Sequence, residues 1–117
     1  TESGSVDIVS VHFDFLRKEI RRRQMLALYD RFEQARRPVV LLGDFNCQWS
    51  SGLAEFAERL DLHAWHPDRR DPTYPSQRPL LRLDWALASQ ALCFRDCRIL
   101  PDRVSDHLGL LVELDWS

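Results

Sequence analysis

A short, wholly apolar run, Val39-Val-Leu-Leu42, limits the architectures open to this chain. Half-exposed strands alternate apolar and polar residues, whereas a run without polar positions is typical of a central strand covered on both faces. Such a strand needs other elements beside it, above it and below it. The chain is therefore expected to build a layered sheet structure around residues 39–42.

The segment before this run predicts a strand followed by a long helix. Residues 7–13, Asp-Ile-Val-Ser-Val-His-Phe, have the β-branched content of a strand. Between Arg17 and Arg37, apolar residues recur at three- to five-residue steps, which predicts a helix with one apolar side. Pro38 is expected to end it, because proline disfavours helical backbone in the residue before it. The apolar positions are Ile20, Met25, Leu28, Phe32 and Ala35.

The rest of the chain predicts one more helix and three more strands. Gly43 is expected to end the central strand, and a helix over residues 52–60 has Ser50 or Ser51 available as its N-cap. Residues 61–79, rich in proline and polar side chains, are expected to form a loop. Further strands are predicted over residues 81–87, 92–100 and 108–114. The order β-α-β-α-β-β-β predicts an α/β fold with a mixed β-sheet and helices packed on one face.

The composition is that of a soluble globular domain. With 117 residues, 44% of them hydrophobic and 29% charged, the chain is long enough for one core. The net charge of −2 provides no overall attraction to nucleic acid. No apolar run approaches the roughly 20 residues of a membrane helix, and the first residues lack the pattern of a signal peptide.

The cysteines predict a reducing compartment. Cys47, Cys93 and Cys97 are an odd number without a CxxC pair, so they are interpreted as buried thiols rather than as a disulfide or zinc framework. A cytoplasmic location is predicted, although a longer parent protein could carry a leader or a membrane segment absent from this sequence.

Polar side chains of catalytic type gather mostly where the predicted strands end or begin, and Asp84 lies within the strand predicted over 81–87. They are His12, Asp44, Asn46, Asp84, Asp106 and His107. Strand ends are where a rigid scaffold presents catalytic groups. Carboxylate and amide oxygens suit a hard cation, while His and Asn supply hydrogen bonds to phosphoryl oxygens. Each residue alone also fits ordinary turn or surface chemistry, so only the combination indicates a phosphate-ester site.

Four short motifs occur in a fixed order along the chain. They are Val-His-Phe-Asp at 11–14, Gly-Asp-Phe-Asn at 43–46, Arg-Leu-Asp-Trp at 82–85 and Ser-Asp-His at 105–107. Together they resemble the C-terminal motifs of the endonuclease/exonuclease/phosphatase superfamily, which includes DNase I-like nucleases, inositol polyphosphate 5-phosphatases and bacterial sphingomyelinases. The resemblance implies half of a four-layer α/β sandwich, with residues 1–117 as the C-terminal part of a single catalytic domain.

The resemblance implies a catalytic role for five of the residues. Asp44 resembles the carboxylate that orients or deprotonates the attacking water, and Asn46 the amide that holds a phosphate oxygen. His107 resembles the imidazole facing the phosphate, with Asp84 as the carboxylate that orients it. His12 resembles a candidate general acid near the leaving-group oxygen.

The resemblance also implies a divalent cation, Mg²⁺ or Mn²⁺, held in part by Asp44, Asn46 and Asp106. Members of the superfamily add an upstream Asn and a Glu that is the principal metal ligand, and Glu2 stands in no matching motif. The isolated chain is therefore expected to bind Mg²⁺ poorly and to show little or no hydrolysis.

One face of the sheet is expected to lack its covering layer. In the first strand Val9, Val11 and Phe13 alternate with Ile8, so apolar groups occupy both faces. One face would meet the second sheet of the sandwich, and an apolar face left bare favours association. The predicted partners are the missing N-terminal half, or a second copy of the chain through that face.

Two classes of function remain open. The first is a phosphoesterase acting on a nucleic acid, a phospholipid head group or a sugar phosphate; fold alone does not choose among these. The second is a non-catalytic interaction module that retains the fold, although the filled catalytic-type positions favour the enzyme.

Thr73-Tyr-Pro-Ser76 resembles a loop that borders the substrate in bacterial members. Arg82 is interpreted mainly as a solvated side chain, and His63, Trp65 and His66 as parts of a loop packed on the core.

Overall fold

The computed structural model describes residues 4–117, and a four-stranded mixed sheet forms its centre. The strands are β1 (Asp7–His12), β2 (Val39–Asp44), β3 (Leu62–Ala64) and β4 (Asp84–Ser89). They lie in the order β1-β2-β4-β3, with β1 parallel to β2 and with β4 antiparallel to both of its neighbours. The predicted α/β class with a mixed sheet is confirmed. Glu2 lies outside the described residues.

Helices cover one face of this sheet. Helix α1 (Lys18–Phe32) carries the chain from β1 back to the parallel strand β2, and α2 (Ala54–Arg59) follows a wide helical turn at Trp49–Leu53. The core between sheet and helices includes Phe13, Tyr29, Leu41, Phe45, Leu53, Phe56, Trp85 and Leu87. Helices packed on one face were predicted. They pack there because the apolar face of the sheet and the apolar faces of the helices are removed from water only when they contact each other.

The last two strands form a separate antiparallel ribbon, β5 (Leu92–Ile99) and β6 (Leu110–Trp116), rather than joining the main sheet. At one end of the second sheet face the ribbon covers Val40 and Ala88. On the same face, Ile8 beside Val40 is 70% exposed, and Leu42, farther along β2, is 36% exposed. This face is thus only partly covered, in the manner predicted from the two-sided apolar pattern of β1.

Helix α1 is shorter than the predicted range of 17–37. It ends at Phe32, and the N–H of Ala35 donates to the carbonyl of Phe32 in a tight turn. The carbonyl of Pro38 then accepts from the N–H of Asp7 at 2.9 Å, which starts the parallel pairing of β1 and β2. The helix stops early because the chain must extend before the proline to reach this register.

Gly43 does not end the central strand, contrary to the prediction. It lies within β2 and pairs with Val11 on one side and with Trp85 on the other. Its φ of +135° is a conformation that L side chains rarely adopt, and an added Cβ would collide with the carbonyl oxygen of Val11. The glycine lets β2 continue to Asp44 while its neighbour strand approaches closely.

Four further elements differ from the predictions. Helix α2 begins at Ala54 without a serine cap, because Gly52 at φ +101° interrupts the preceding turn. The predicted loop over 61–79 contains the edge strand β3, which is too short to show an apolar period. The strand predicted over 81–87 runs from Asp84 to Ser89, and the one predicted over 108–114 from Leu110 to Trp116.

The cysteines are free, as predicted, but only one is fully buried. Burial raises the pKa of the Cys47 thiol to about 11, so this group is a poor nucleophile near neutral pH. Cys93 and Cys97 are half-buried, which corrects the prediction of buried thiols for these two positions. They lie on β5, whose ribbon is covered on only part of its surface. Within residues 4–117, no helix has the length and apolar character needed to cross a membrane.

Candidate active site

Strand register brings three of the predicted site residues into one row. His12 ends β1 and pairs with Asp44 at the end of β2, and Asp44 pairs in turn with Asp84 at the start of β4. Residues directly opposite each other in neighbouring strands point to the same face, with Cβ atoms roughly 5 Å apart. The row therefore crosses three neighbouring strands at one end of the sheet, on the face opposite the helices.

A tight turn after β2 fixes the orientation of Asp44. Oδ1 of Asp44 accepts a hydrogen bond from the backbone N–H of Asn46 at 2.9 Å, and Phe45 between them is fully buried. Asn46 has φ +49°, a left-handed conformation that asparagine tolerates better than most residues. Its Nδ2 donates to the carbonyl of Phe13 at 2.7 Å, which ties the turn to the end of β1.

His107 reaches the row from the loop before β6. Its Nδ1–H donates to Oδ2 of Asp84 at 2.7 Å, and its Nε2 lies 3.4 Å from Oδ2 of Asp44. One ligand atom from each of Asp44, Asp84 and His107 lies within 4.8 Å of the other two. These three groups are here called the catalytic cluster.

Two predicted residues lie at the border of the catalytic cluster. Nε2 of His12 is 3.7 Å from Oδ2 of Asp44, and its side chain is 79% exposed. Asp106 is exposed, and its backbone carbonyl accepts from the N–H of Ser76 at 2.8 Å. Its carboxylate is not one of the three groups that the structure brings together.

The surroundings of Asp44 make its carboxylate more basic. Burial raises the pKa of Asp44, and the nearby charge of Asp84 adds to this. The N–H of Asn46 and the imidazoles of His107 and His12 act in the opposite direction without cancelling the increase. A carboxyl group with a raised pKa is a better proton acceptor in its ionised form.

The surroundings of His107 favour its cationic form. Burial disfavours a charged ring, but the hydrogen bond to Asp84 and the negative charges of Asp84, Asp44 and Asp106 outweigh it, so the pKa of His107 is raised. Because the folded pKa is raised, these contacts stabilise the fold fully below the ordinary histidine pKa. That contribution is lost as the pH rises through the raised value.

The Asp84→Asn variant is expected to lower the pKa of His107, because asparagine keeps the shape of the aspartate but removes its negative charge. An NMR titration of the His107 ring resonances measures the change. Asp106→Asn is the matched control and should lower the pKa less, since Asp106 contributes only a distant charge. An equal effect of both variants would contradict the assigned hydrogen bond.

The donor set fits a hard cation in part. Oδ2 of Asp84 already accepts from His107 and from the hydroxyl of Thr73 at 2.6 Å, so this oxygen is engaged. The carboxylate of Asp44 and the amide oxygen of Asn46 remain as oxygen donors of the kind that Mg²⁺ prefers. The described residues thus supply a fraction of an octahedral shell.

Three residues near the site have roles that the sequence patterns did not predict. Thr73 is fully buried with its hydroxyl on Asp84, and the Tyr74 ring packs on the His107 ring with centroids 4.7 Å apart. Arg82 is buried rather than solvated, which corrects the prediction. Its guanidinium stacks 3.8 Å above the Trp85 ring and donates to the carbonyls of residues 65, 66 and 69. The resemblance of the Thr73–Ser76 segment to a substrate-bordering loop was the only available signal.

Of the three aromatic and histidine side chains predicted to pack on the core after α2, His63 and Trp65 are partly buried against the ribbon, whereas His66 is exposed. The His63 ring meets the Phe94 ring edge-on at 5.3 Å, and the Trp65 ring lies 6.3 Å from the same phenylalanine. His63 belongs to strand β3 rather than to a loop. These groups therefore join the main sheet to the ribbon.

Comparisons with known proteins agree with the motif resemblance. The model of the Endonuclease/Exonuclease/phosphatase family matches residues 6–107. No curated protein sequence matches significantly. An endonuclease/exonuclease/phosphatase family protein from Bacteroides thetaiotaomicron superposes with a TM-score of 0.78 at 19% identity, over 94% of this chain and 49% of that one.

Two further solved structures have the same fold. A mannosyl-6-phosphatase from Bacteroides thetaiotaomicron gives a TM-score of 0.74 at 20% identity, over 93% of this chain and 51% of that one. A 3′ phosphatase from Neisseria, bound to a product DNA hairpin, gives 0.62 at 20% identity, over 85% and 53%. The chain therefore spans about half the length of these three solved structures.

Proposed function

The chain belongs to the endonuclease/exonuclease/phosphatase family, and from this membership we propose that it contributes most of the active site of a divalent-cation-dependent phosphoesterase. One observation carries the proposal. Asp44, Asp84 and His107, far apart in sequence, have ligand atoms within 4.8 Å of one another at one end of the sheet. A base, an oriented imidazole and its carboxylate partner suit attack of water on phosphorus.

Asp44 is proposed to orient the attacking water and to accept its proton. Its raised pKa makes the ionised carboxylate a stronger base than an exposed aspartate. The N–H of Asn46 holds one of its oxygens at 2.9 Å and leaves the other toward the catalytic cluster. The turn at residues 44–46 thus keeps the base in one orientation.

His107 is proposed to stabilise the negative charge that develops on the phosphoryl oxygens. Asp84 holds Nδ1, so Nε2 faces Asp44 and the space where a phosphate would lie. The raised pKa of His107 favours the cationic ring, which donates to an anion more strongly than a neutral one. His12, exposed at the rim beside Asp44, is proposed to donate a proton to a leaving-group oxygen.

A bound Mg²⁺ or Mn²⁺ would supply Lewis-acid stabilisation of the phosphoryl oxygens. Asp44 and Asn46 are the residues that would hold it, and Asp106 is proposed as a supporting carboxylate. The remaining ligands would come from water, substrate and the part of the domain that the matched structures have beyond this chain.

We propose a phosphate ester as the substrate without choosing between a monoester and a diester. The similar structures include a mannosyl-6-phosphatase and a 3′ phosphatase with product DNA, but their low identity to this chain supports only a shared fold. The two reactions share the chemistry of water attack on phosphorus.

The complete protein is expected to hydrolyse at least one member of a phosphate-ester panel with Mg²⁺ and to lose this activity with a chelator. The panel comprises bis-aryl phosphate, single-stranded and abasic DNA, sphingomyelin, inositol phosphates and a hexose 6-phosphate. The 117-residue chain alone is expected to bind Mg²⁺ weakly in calorimetry and to hydrolyse none of them. A complete protein inactive on the whole panel would favour a non-catalytic module instead, and tight stoichiometric Mg²⁺ binding by the chain would contradict the partial donor set.

We also propose that the partly covered sheet face is an interface. Ile8 and Leu42 are exposed there on neighbouring strands, where the rest of the domain or a second copy of the chain would cover them. The isolated chain is expected to self-associate at high concentration, and the double variant Ile8→Thr, Leu42→Thr to be more monomeric. Sedimentation velocity measures this, with Leu26→Thr on helix α1 as the control. Monomeric behaviour of the parent chain at every concentration would refute self-association.

A further inference from the structure

The segment Thr73–Ser76 joins the strand that bears Asp84 to the loop that bears His107. On one side, the N–H of Thr73 donates to the carbonyl of Leu81 at 2.8 Å. On the other side, the carbonyl of Thr73 accepts from the N–H of Leu108 at 2.8 Å. Ser76 adds two bonds to the same loop, from its N–H to the carbonyl of residue 106 at 2.8 Å and from its Oγ to that of residue 105 at 2.7 Å. This backbone framework sets the distance between the two catalytic-type side chains.

The side chain of Thr73 acts directly on the Asp84–His107 pair. Its hydroxyl donates to Oδ2 of Asp84 at 2.6 Å, and the same oxygen accepts from Nδ1 of His107 at 2.7 Å. The threonine oxygen accepts in turn from the backbone N–H groups of Leu83 and Asp84 at 3.2 and 3.3 Å. Thr73 is fully buried, so water does not compete for this hydroxyl.

A carboxylate held by a single donor can rotate about its terminal torsion, which has a broad energy well. A second donor on the same oxygen restricts that rotation. Here the second donor is itself held in place, because the Thr73 oxygen accepts from the backbone N–H groups of Asp84 and of the residue before it. The imidazole then has one preferred partner geometry, with Nδ1 toward Asp84 and Nε2 toward Asp44.

We propose that Thr73 is a positioning residue that locks the Asp84 carboxylate and, through it, the orientation of the His107 ring. The part of this proposal that concerns the reaction rests on the proposed function. The part that concerns the geometry of the pair holds whether or not the chain takes part in hydrolysis.

The test compares Thr73→Val, which removes the hydroxyl at nearly constant volume, with Thr73→Ser, which keeps it. In the 117-residue chain, NMR is expected to show the downfield Nδ1–H resonance of a hydrogen-bonded His107 in the parent and in Thr73→Ser. In Thr73→Val that resonance should be lost or broadened. In the complete protein, kcat for the hydrolysed ester should fall about 10–100-fold in Thr73→Val with KM nearly unchanged, and Thr73→Ser should restore it.

A folded Thr73→Val variant that keeps both the His107 resonance and the parent kcat would overturn the proposal. Thr73→Ala removes the same hydroxyl and serves as the second variant, with heteronuclear correlation spectra to verify the fold. Unfolding of both hydroxyl-free variants beside a folded Thr73→Ser would assign the hydroxyl to folding instead, and would also overturn it. An inactive complete protein would defeat the proposed function, whereas the NMR comparison would still decide the role of Thr73.

Discussion

Asp44→Ala is expected to lower phosphoester hydrolysis by the complete protein about 100- to 10,000-fold, the range of positioned acid–base catalysis. The variant removes the carboxylate at the centre of the row, where Oδ2 faces both His107 at 3.4 Å and His12 at 3.7 Å. It also removes the best remaining oxygen donor for a cation. Raising the Mg²⁺ concentration can refill a weakened cation site by mass action but cannot replace the base, so it should recover little of the loss.

The measurement is kcat/KM on the ester that the complete protein hydrolyses, at several Mg²⁺ concentrations. Asp44→Asn keeps the size of the side chain and should be nearly as impaired, because an amide cannot accept the proton from water. Asp102→Ala, at an exposed position in the loop before β6, is the control and should retain the parent rate. A retained rate in a folded Asp44→Ala variant would remove the base from the mechanism.

Gly43→Ala is expected to destabilise the chain by about 3–5 kcal/mol, the sum of backbone strain and overpacking. The residue has φ +135°, and its Cβ would collide with the backbone oxygen of Val11, which belongs to a paired strand and cannot move aside alone. Because Asp44 follows directly, any displacement of β2 would also shift the catalytic cluster.

Variants at two other glycines distinguish backbone strain from overpacking in the loss of stability expected for Gly43→Ala. Gly52 has φ +101°, but a Cβ added there would meet no atom within 4 Å, so Gly52→Ala should show the backbone strain alone, about 1–2 kcal/mol. At Gly109 an added Cβ would make an ordinary contact with Leu100 at 3.6 Å, so Gly109→Ala should be close to neutral. Urea denaturation gives all three free energies of unfolding. A Gly43→Ala loss no larger than that of Gly52→Ala would show that β1 and β2 can separate without cost.

The elements that were predicted well are those with long apolar patterns. The spacing of apolar residues distinguishes a strand from a helix, and it identified the strand at residues 7–12, helix α1 and the apolar run of β2. The boundaries were less accurate where tertiary contacts override local pattern. Glycine is a residue type typical of turns, yet Gly43 stays in the strand because it pairs with a neighbouring strand on each side. Arginine is a residue type typical of the surface, yet Arg82 is buried because three backbone carbonyls accept its hydrogen bonds and the Trp85 ring stacks on its guanidinium.

The sequence by itself determined the α/β class, the family and the residue types of the candidate site, because motif order and apolar period are properties of the chain in one dimension. Only the tertiary structure decided which of those residues meet. Register aligned His12, Asp44 and Asp84 in one row, and a loop brought His107 to it, while the Asp106 carboxylate stayed outside the group of three. The buried hydroxyl of Thr73 on Asp84 also emerged only there. Contacts between distant residues depend on strand order, register and loop path, and these follow from the packing of the whole core rather than from any local segment.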